Sequence, residues 1–155
     1  MKYITVGYNS FIAVFNTETA GFTKIPFASD LSLAYHQVNT ICTSTNVALT
    51  ISGHEDKRIR FFDLNANSCV KDIVGHTDAV TDICIDDSGY YLISTGHDGS
   101  VRSWDLRTFH CLHEITLNRK KYDESIFCVA QHPYGEMIAI GGSDSIIKIL
   151  EAKDS

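Results

Sequence analysis

One short pattern recurs along this chain at nearly constant spacing. Asp98 is followed by Val101 and Arg102; Asp56, 42 residues earlier, is followed by Ile59 and Arg60; Asp144, 46 residues later, by Ile147 and Lys148. A fainter copy has Asn9, Ile12 and Ala13. Further on in each copy an aromatic slot reads Phe15, Phe62, Trp104, Leu150, and the slot after it Asn16, Asp63, Asp105, Glu151. A chain that repeats itself with such a period must fold as a row of equivalent units, each burying an apolar face against the next.

The unit is most complete between Gly75 and Asp105. Val80, Ile83 and Ile85 lead into Asp86-Asp87-Ser88-Gly89, a run of turn formers. Tyr91 to Ser94 is a second β-prone run, His97 to Ser100 a second turn, and Val101 to Asp105 a third run. Strand and turn alternating at this pitch is an antiparallel meander. With a further strand at His110–Ile115 the unit has four strands, the signature of a propeller blade. The whole chain then reads as an all-β partial propeller of about 3.5 blades and fourteen strands, at approximately residues 1–27 (incomplete), 34–74, 75–117 and 118–151 (incomplete). The first blade is expected to lack its innermost strand and the last its outermost.

The segment from Gly75-His76 to Trp104-Asp105 resembles a WD repeat. A closer resemblance covers most of the chain. HEDKRIRFFD, GHTDAVTDICIDDSGYYLISTGHDGSVRSWD and HCLHEITLNRKKYDESIFCVAQHP resemble the last repeats of the striatin family, and NRKKYDES is the most specific piece. The resemblance implies a non-catalytic protein-interaction scaffold. Its implied partners are phosphatase 2A and the kinase-containing assemblies to which striatins carry that phosphatase. The calmodulin-binding and coiled-coil segments of striatins have no counterpart in these 155 residues, so roles that depend on them are not assigned to this chain. A WD-repeat adaptor of another system, such as a ubiquitin-ligase substrate receptor, is the alternative, and NRKKYDES argues against it. A shortened product without an independent fold is a further alternative. Open blade edges are expected to need upstream blades or self-association to cover them.

The resemblance also implies that His76, Ser94, Asp98 and Trp104 form one hydrogen-bonded strut. Physics agrees, because a buried indole must satisfy one N–H and a buried imidazole two nitrogens. In the second blade the slot of His76 holds Ala34 and the slot of Trp104 holds Phe62, so that blade is expected to rely on apolar packing. Ser, His and Asp together resemble a catalytic triad, but no Gly-x-Ser-x-Gly nucleophile turn surrounds Ser94 and no catalytic residue is assigned.

Tyr8, Glu55, His97 and Ser143 stand just before the turn residue of each copy, and Asp78 and Glu124 stand near the starts of innermost strands. These six are the candidate partner-binding face. The insertion Arg119, Lys120, Lys121, Tyr122 is a candidate binding loop, since loops on rigid scaffolds carry function. Arg60, Arg102 and Lys148 recur at one strand position, which is expected to pack their stems beside the aromatic slot.

A net charge of −6 argues against a nucleic-acid partner. No apolar run is long enough to span a membrane. The five cysteines follow the repeat: Cys42 and Cys84, like Cys69 and Cys111, are 42 residues apart. They read as structural thiols rather than metal ligands, no cofactor is expected, and reduced thiols fit the cytoplasm.

Overall fold

A computed structural model describes residues 3–8, 11–27, 37–44, 46–117, 125–134 and 137–151. Its regular structure is entirely β. The strands are β1 (Tyr3–Gly7), β2 (Phe11–Asn16), β3 (Gly21–Pro26), β4 (Val38–Ser44), β5 (Leu49–His54), β6 (Arg58–Asp63) and β7 (Ser68–Val74). They continue as β8 (Val80–Ile85), β9 (Tyr91–Gly96), β10 (Ser100–Asp105), β11 (His110–Thr116), β12 (Ile126–Gln131), β13 (Met137–Gly142) and β14 (Ile147–Glu151). They form four antiparallel meanders, β1–β2–β3, β4–β5–β6–β7, β8–β9–β10–β11 and β12–β13–β14.

The repeated acidic residues explain why each meander turns where it does. The side-chain oxygen of Asp56, Asp98 or Asp144 accepts the N–H two residues on, from Arg58 (3.3 Å), Ser100 (3.0 Å) and Ile146 (3.2 Å). The residue between is left-handed each time: Lys57 at φ 71°, Gly99 at φ 70°, Ser145 at φ 60°. Only the third sheet has a glycine there, the residue that takes this conformation without steric cost. The slot after the aromatic residue works alike. Asn16 accepts from the N–H of Glu18 (2.9 Å), Asp63 from Asn65 (2.7 Å) and Asp105 from Arg107 (2.8 Å), local turns that Asn and Asp favour. Arg107 also forks onto Asp105, and these bonds hold the Asp105 carboxyl down at about 2.

Registers identify which strand is missing from the first sheet. Gly7 pairs with Ile12 as Gly53 pairs with Ile59. A Cβ on Gly7 would lie 2.5 Å from the Val38 side chain, and one on Gly53 2.6 Å from Val80, the same relation one sheet apart. So β1 corresponds to β5, the second strand, and the described residues hold no counterpart of β4 before it.

Three apolar layers join the sheets. Ile12, Val14, Ile25 and Phe27 meet Phe62 between the first and second. Ile51, Ile59 and Phe61 meet Ile83, Leu92, Trp104 and Leu106 between the second and third. Ile93 and Val101 meet Ile126, Val129 and Ile140 between the third and fourth. The alternation of strand side chains sends Phe61 and Phe62 into different layers.

A polar link runs across three sheets near their innermost strands. The Asp82 carboxylate on β8 accepts the Thr40 hydroxyl of β4 at 2.9 Å and the Val129 N–H of β12 at 3.0 Å. Removing it deletes charge-assisted bonds and leaves the Val129 N–H short of an acceptor. Asp82→Ala is expected to lower stability by about 2–3 kcal/mol in a urea melt. A change within a few tenths of a kcal/mol would show that the link contributes nothing.

Candidate functional site

The third sheet brings the four strut residues together. The Trp104 indole N–H donates to Ser94 Oγ at 2.9 Å, and Ser94 Oγ lies 2.7 Å from His76 Nε2. His76 Nδ1 lies 3.1 Å from Asp98 Oδ1 and 3.0 Å from Ser100 Oγ. Asp98 also accepts from the Thr77 N–H (2.8 Å), the Ser100 N–H (3.0 Å) and the Ser100 hydroxyl (2.7 Å). Because the indole can only donate, Ser94 gives its own proton to Nε2, which places the imidazole proton on Nδ1 facing the carboxylate. Burial alone would raise the Asp98 carboxyl, but the hydrogen bonds from His76, Ser100 and Thr77 outweigh it and hold the group far below the usual carboxylate range.

This network joins strands. Ser94 and His76 are 0% exposed, and the hydroxyl is spent on a bond at each side. Ser100 and Thr77 are members that the sequence reading missed. Their signal is local, for Ser100 stands two residues after Asp98, the spacing of a side-chain-to-backbone turn.

The second sheet, expected to rely on apolar packing, buries a polar pair as well. His54, at the end of β5 and 0% exposed, places Nε2 at 2.6 Å from Ser52 Oγ, the counterpart of Ser94. Its ring meets Phe27 edge-on, centroids 4.8 Å apart. The position of His54 in the third sheet is Gly96, where an added Cβ would stand 2.7 Å from His76 Nδ1. An imidazole thus fills the same space from a different point of the chain. Position 34 itself lies outside the described residues, as does position 118, which matches His76 in the fourth repeat.

The recurring cation is also not merely a packed stem. Where the sequence gives no histidine for the turn carboxylate, the cation reaches it: Arg60 bonds Asp56 at 2.6 Å and Lys148 bonds Asp144 at 2.5 Å. In the third sheet His76 holds Asp98, and Arg102 instead donates to the Gly75 carbonyl at 2.6 Å and to Glu114 at 3.0 Å.

At one end of the sheets a constant bond positions the exposed candidates. The N–H groups of Glu55, His97 and Ser143 donate to the carbonyls of Gln37 (3.0 Å), Ala79 (2.9 Å) and Ser125 (2.9 Å), each the residue before an innermost strand. All three side chains are exposed on this loop face. Asp78 joins them, its carboxylate accepting the Ala79 N–H at 2.8 Å. Tyr8 is displaced by one register position. The β1–β2 turn is one residue shorter than the others, so Tyr8 follows Gly7 where His54 follows Gly53, and its ring stacks on Phe11 at 4.7 Å. Glu124, Arg119, Lys120, Lys121 and Tyr122 lie outside the described residues. Two residues not foreseen belong here. Asn39 donates to Glu55 at 3.0 Å and to the Val80 carbonyl at 2.9 Å, and Phe127, 52% exposed, meets the His97 ring edge-on at 5.8 Å.

Burial pushes the Cys84 thiol up to about 12 and drives Cys42 upward as well, so both remain protonated. Among the described residues no three His, Cys, Asp or Glu side chains converge as metal ligands would, and no helix is long and apolar enough to cross a membrane.

Known proteins agree with this architecture. The chain is 41% identical to the striatin homolog of Dictyostelium discoideum over 114 residues, 74% of this chain and 14% of that protein. It is 37% identical to striatin of Mus musculus over 145 residues, 92% of this chain and 18% of that protein, and 39% identical to striatin of Homo sapiens over 113 residues, 73% of this chain and 14% of that protein. It therefore spans less than a fifth of these relatives. The WD domain, G-beta repeat family matches residues 67–105 and 110–150, just over half of the chain. With four antiparallel meanders and a complete His-Ser-Asp-Trp strut in the third, the chain belongs to the WD-repeat family.

Proposed function

We propose that this chain is a non-catalytic protein-interaction platform that works within phosphatase 2A and kinase signalling assemblies in the cytoplasm. The observation that carries the platform reading is the loop face. One backbone bond, repeated at Glu55, His97 and Ser143, fixes three exposed side chains of different chemistry on the same end of neighbouring sheets. Rigid elements presenting varied polar and aromatic groups suit recognition of a protein surface. The similarity to striatins supports the choice of assembly.

The test is affinity capture on the chain from cell extract, with phosphatase 2A and kinase subunits identified by mass spectrometry. Glu55→Ala, Asp78→Ala and His97→Ala, combined, are expected to reduce that capture by roughly tenfold or more while leaving the urea midpoint unchanged, as exposed substitutions do. Recovery of a ubiquitin-ligase core in place of the phosphatase would transfer the platform to another system. Undiminished capture by the triple variant would place the binding surface elsewhere.

A further inference from the structure

The end of the sheets opposite the loop face carries a cluster of exposed tyrosines around one arginine. Tyr90 and Tyr91 stand where β9 begins, exposed by 40% and 39%. Arg107, in the turn after β10, lies over both rings, its Cζ 5.6 Å from the Tyr90 centroid and 6.0 Å from that of Tyr91. Its guanidinium forks onto Asp105 through Nε at 3.1 Å and Nη2 at 2.8 Å, yet the side chain stays 56% exposed. Tyr134, 91% exposed, stands in the matching turn of the fourth sheet, between β12 and β13.

The repeat shows what these positions hold where no such cluster is built. Tyr91 pairs with Asp105 as Leu49 pairs with Asp63. The second-sheet counterparts of Tyr90, Tyr91 and Arg107 are therefore Ala48, Leu49 and Asn65, and the counterpart of Tyr134 is Asn46. The second meander closes with those residues, so the fold does not call for three phenols and a guanidinium at this end. Tyrosine and arginine are also the residue types that dominate binding energy at protein interfaces. Braced by Arg107, two of the rings have little freedom left to lose on binding.

The chemistry of the cluster selects its partner. It offers flat apolar rings and hydrogen-bond donors: the phenols, and an arginine with five N–H groups of which the fork uses two. Its cation is already balanced by Asp105, and Asp87 is exposed in the same turn as Tyr90, so an anionic partner gains little here. A polyproline II segment fits. Its carbonyls are unbonded, its prolines have no N–H to satisfy, and such segments dock on aromatic-lined surfaces. We propose that this tyrosine–arginine surface docks a proline-rich segment of a partner protein, with a basic residue beside the prolines paired to Asp87. The assignment rests on the reading of the chain as an interaction platform and adds a second docking point at the opposite end from the loop face.

The experiment titrates the full chain with an acetylated nonaproline amide, with the same peptide preceded by two arginines, and with a glycine-serine peptide of equal length, followed by amide NMR. The proline peptides are expected to shift the amides of Tyr90, Tyr91, Arg107 and Tyr134. The arginine-bearing peptide is expected to bind with a Kd in about the millimolar range or below, roughly threefold tighter than nonaproline and about tenfold tighter than the glycine-serine peptide. Tyr90→Ala with Tyr134→Ala is expected to weaken both proline peptides by about tenfold or more. Tyr90→Phe with Tyr134→Phe keeps the rings and is expected to weaken them by about threefold, through loss of phenol donors. Asp87→Asn is expected to remove the advantage of the arginines and leave nonaproline unaffected. Equal binding of the glycine-serine peptide, shifts confined to other parts of the chain, or affinities unchanged in the tyrosine variants would overturn the assignment. The two readings fail separately: loss of peptide binding here leaves capture through Glu55, Asp78 and His97 untouched, and loss of that capture leaves the peptide titration unchanged.

Discussion

Replacing Trp104 by alanine is expected to lower the unfolding free energy by roughly 3–5 kcal/mol. Two costs combine. A ring that is 5% exposed leaves a cavity between the second and third sheets, and Ser94 Oγ loses the donor that polarises its bond to His76. Phe62 occupies the matching slot one repeat earlier, is 0% exposed and has no N–H to contribute. Phe62→Leu keeps most of the apolar volume and is expected to cost about 1 kcal/mol. Urea melts of the two variants with equal m-values would separate the effects. If both changes proved equally mild, the strut would be a geometric coincidence and not a source of stability.

The second large effect concerns Asp98. Its carboxylate holds the N–H groups of Thr77 and Ser100 and faces His76 Nδ1. Asp98→Ala leaves these donors unpaired in a largely enclosed site, at an expected cost of about 2–4 kcal/mol at neutral pH. The cost should also depend on acidity in a defined direction. Hydrogen bonds hold the folded carboxyl far below its ordinary value of 3.8, so the unfolded chain takes up this proton first as pH falls. The contribution of Asp98 is therefore complete above about pH 5 and diminishes as pH falls below about 4 toward the folded value. The stability gap between parent and Asp98→Ala should narrow with acidification through that range. Other carboxylates, Asp105 among them, titrate in both proteins and cancel in the difference. A gap that stayed constant from pH 7 to the acid limb would show that Asp98 is not held in its charged form by these bonds.

The sequence exposed the repeat because repetition is carried by turns, and turns are chemically demanding. Asp98, Asp105 and their counterparts are fixed by local backbone bonds, so their spacing maps onto strand ends within a residue or two. The strut of the third sheet was legible only through the resemblance to WD repeats, which assigns its members to His76, Ser94, Asp98 and Trp104. The polar pair of the second sheet was not. His54 lies 22 residues before His76, away from the slot in which a histidine was sought, and only the space shared by both imidazoles relates them. Nor does spacing announce that Arg60 takes over a carboxylate when the histidine is lost, because that depends on which competitor is within reach. On the loop face the backbone anchors follow the repeat, whereas Asn39 and Phe127 are particular to their own sheets.

The exclusion between the imidazole of His76 and a side chain at Gly96 has a consequence for how such repeats diverge. A Cβ at Gly96 would sit 2.7 Å from the ring, so the two sites cannot both be filled. A repeat that first gains the strand histidine clashes, and one that first loses the loop histidine leaves the Ser94 hydroxyl without its acceptor and takes one donor from Asp98. Either single step is expected to cost stability, while the completed exchange restores a buried imidazole beside serine, as at His54 and Ser52. The two arrangements are therefore expected to be separated by less stable intermediates, so that the cost of each change depends on whether the other has been made. Neighbouring copies of one unit can then hold their buried imidazole from different points of the chain, as the second and third sheets do, and a single substitution does not convert one form into the other.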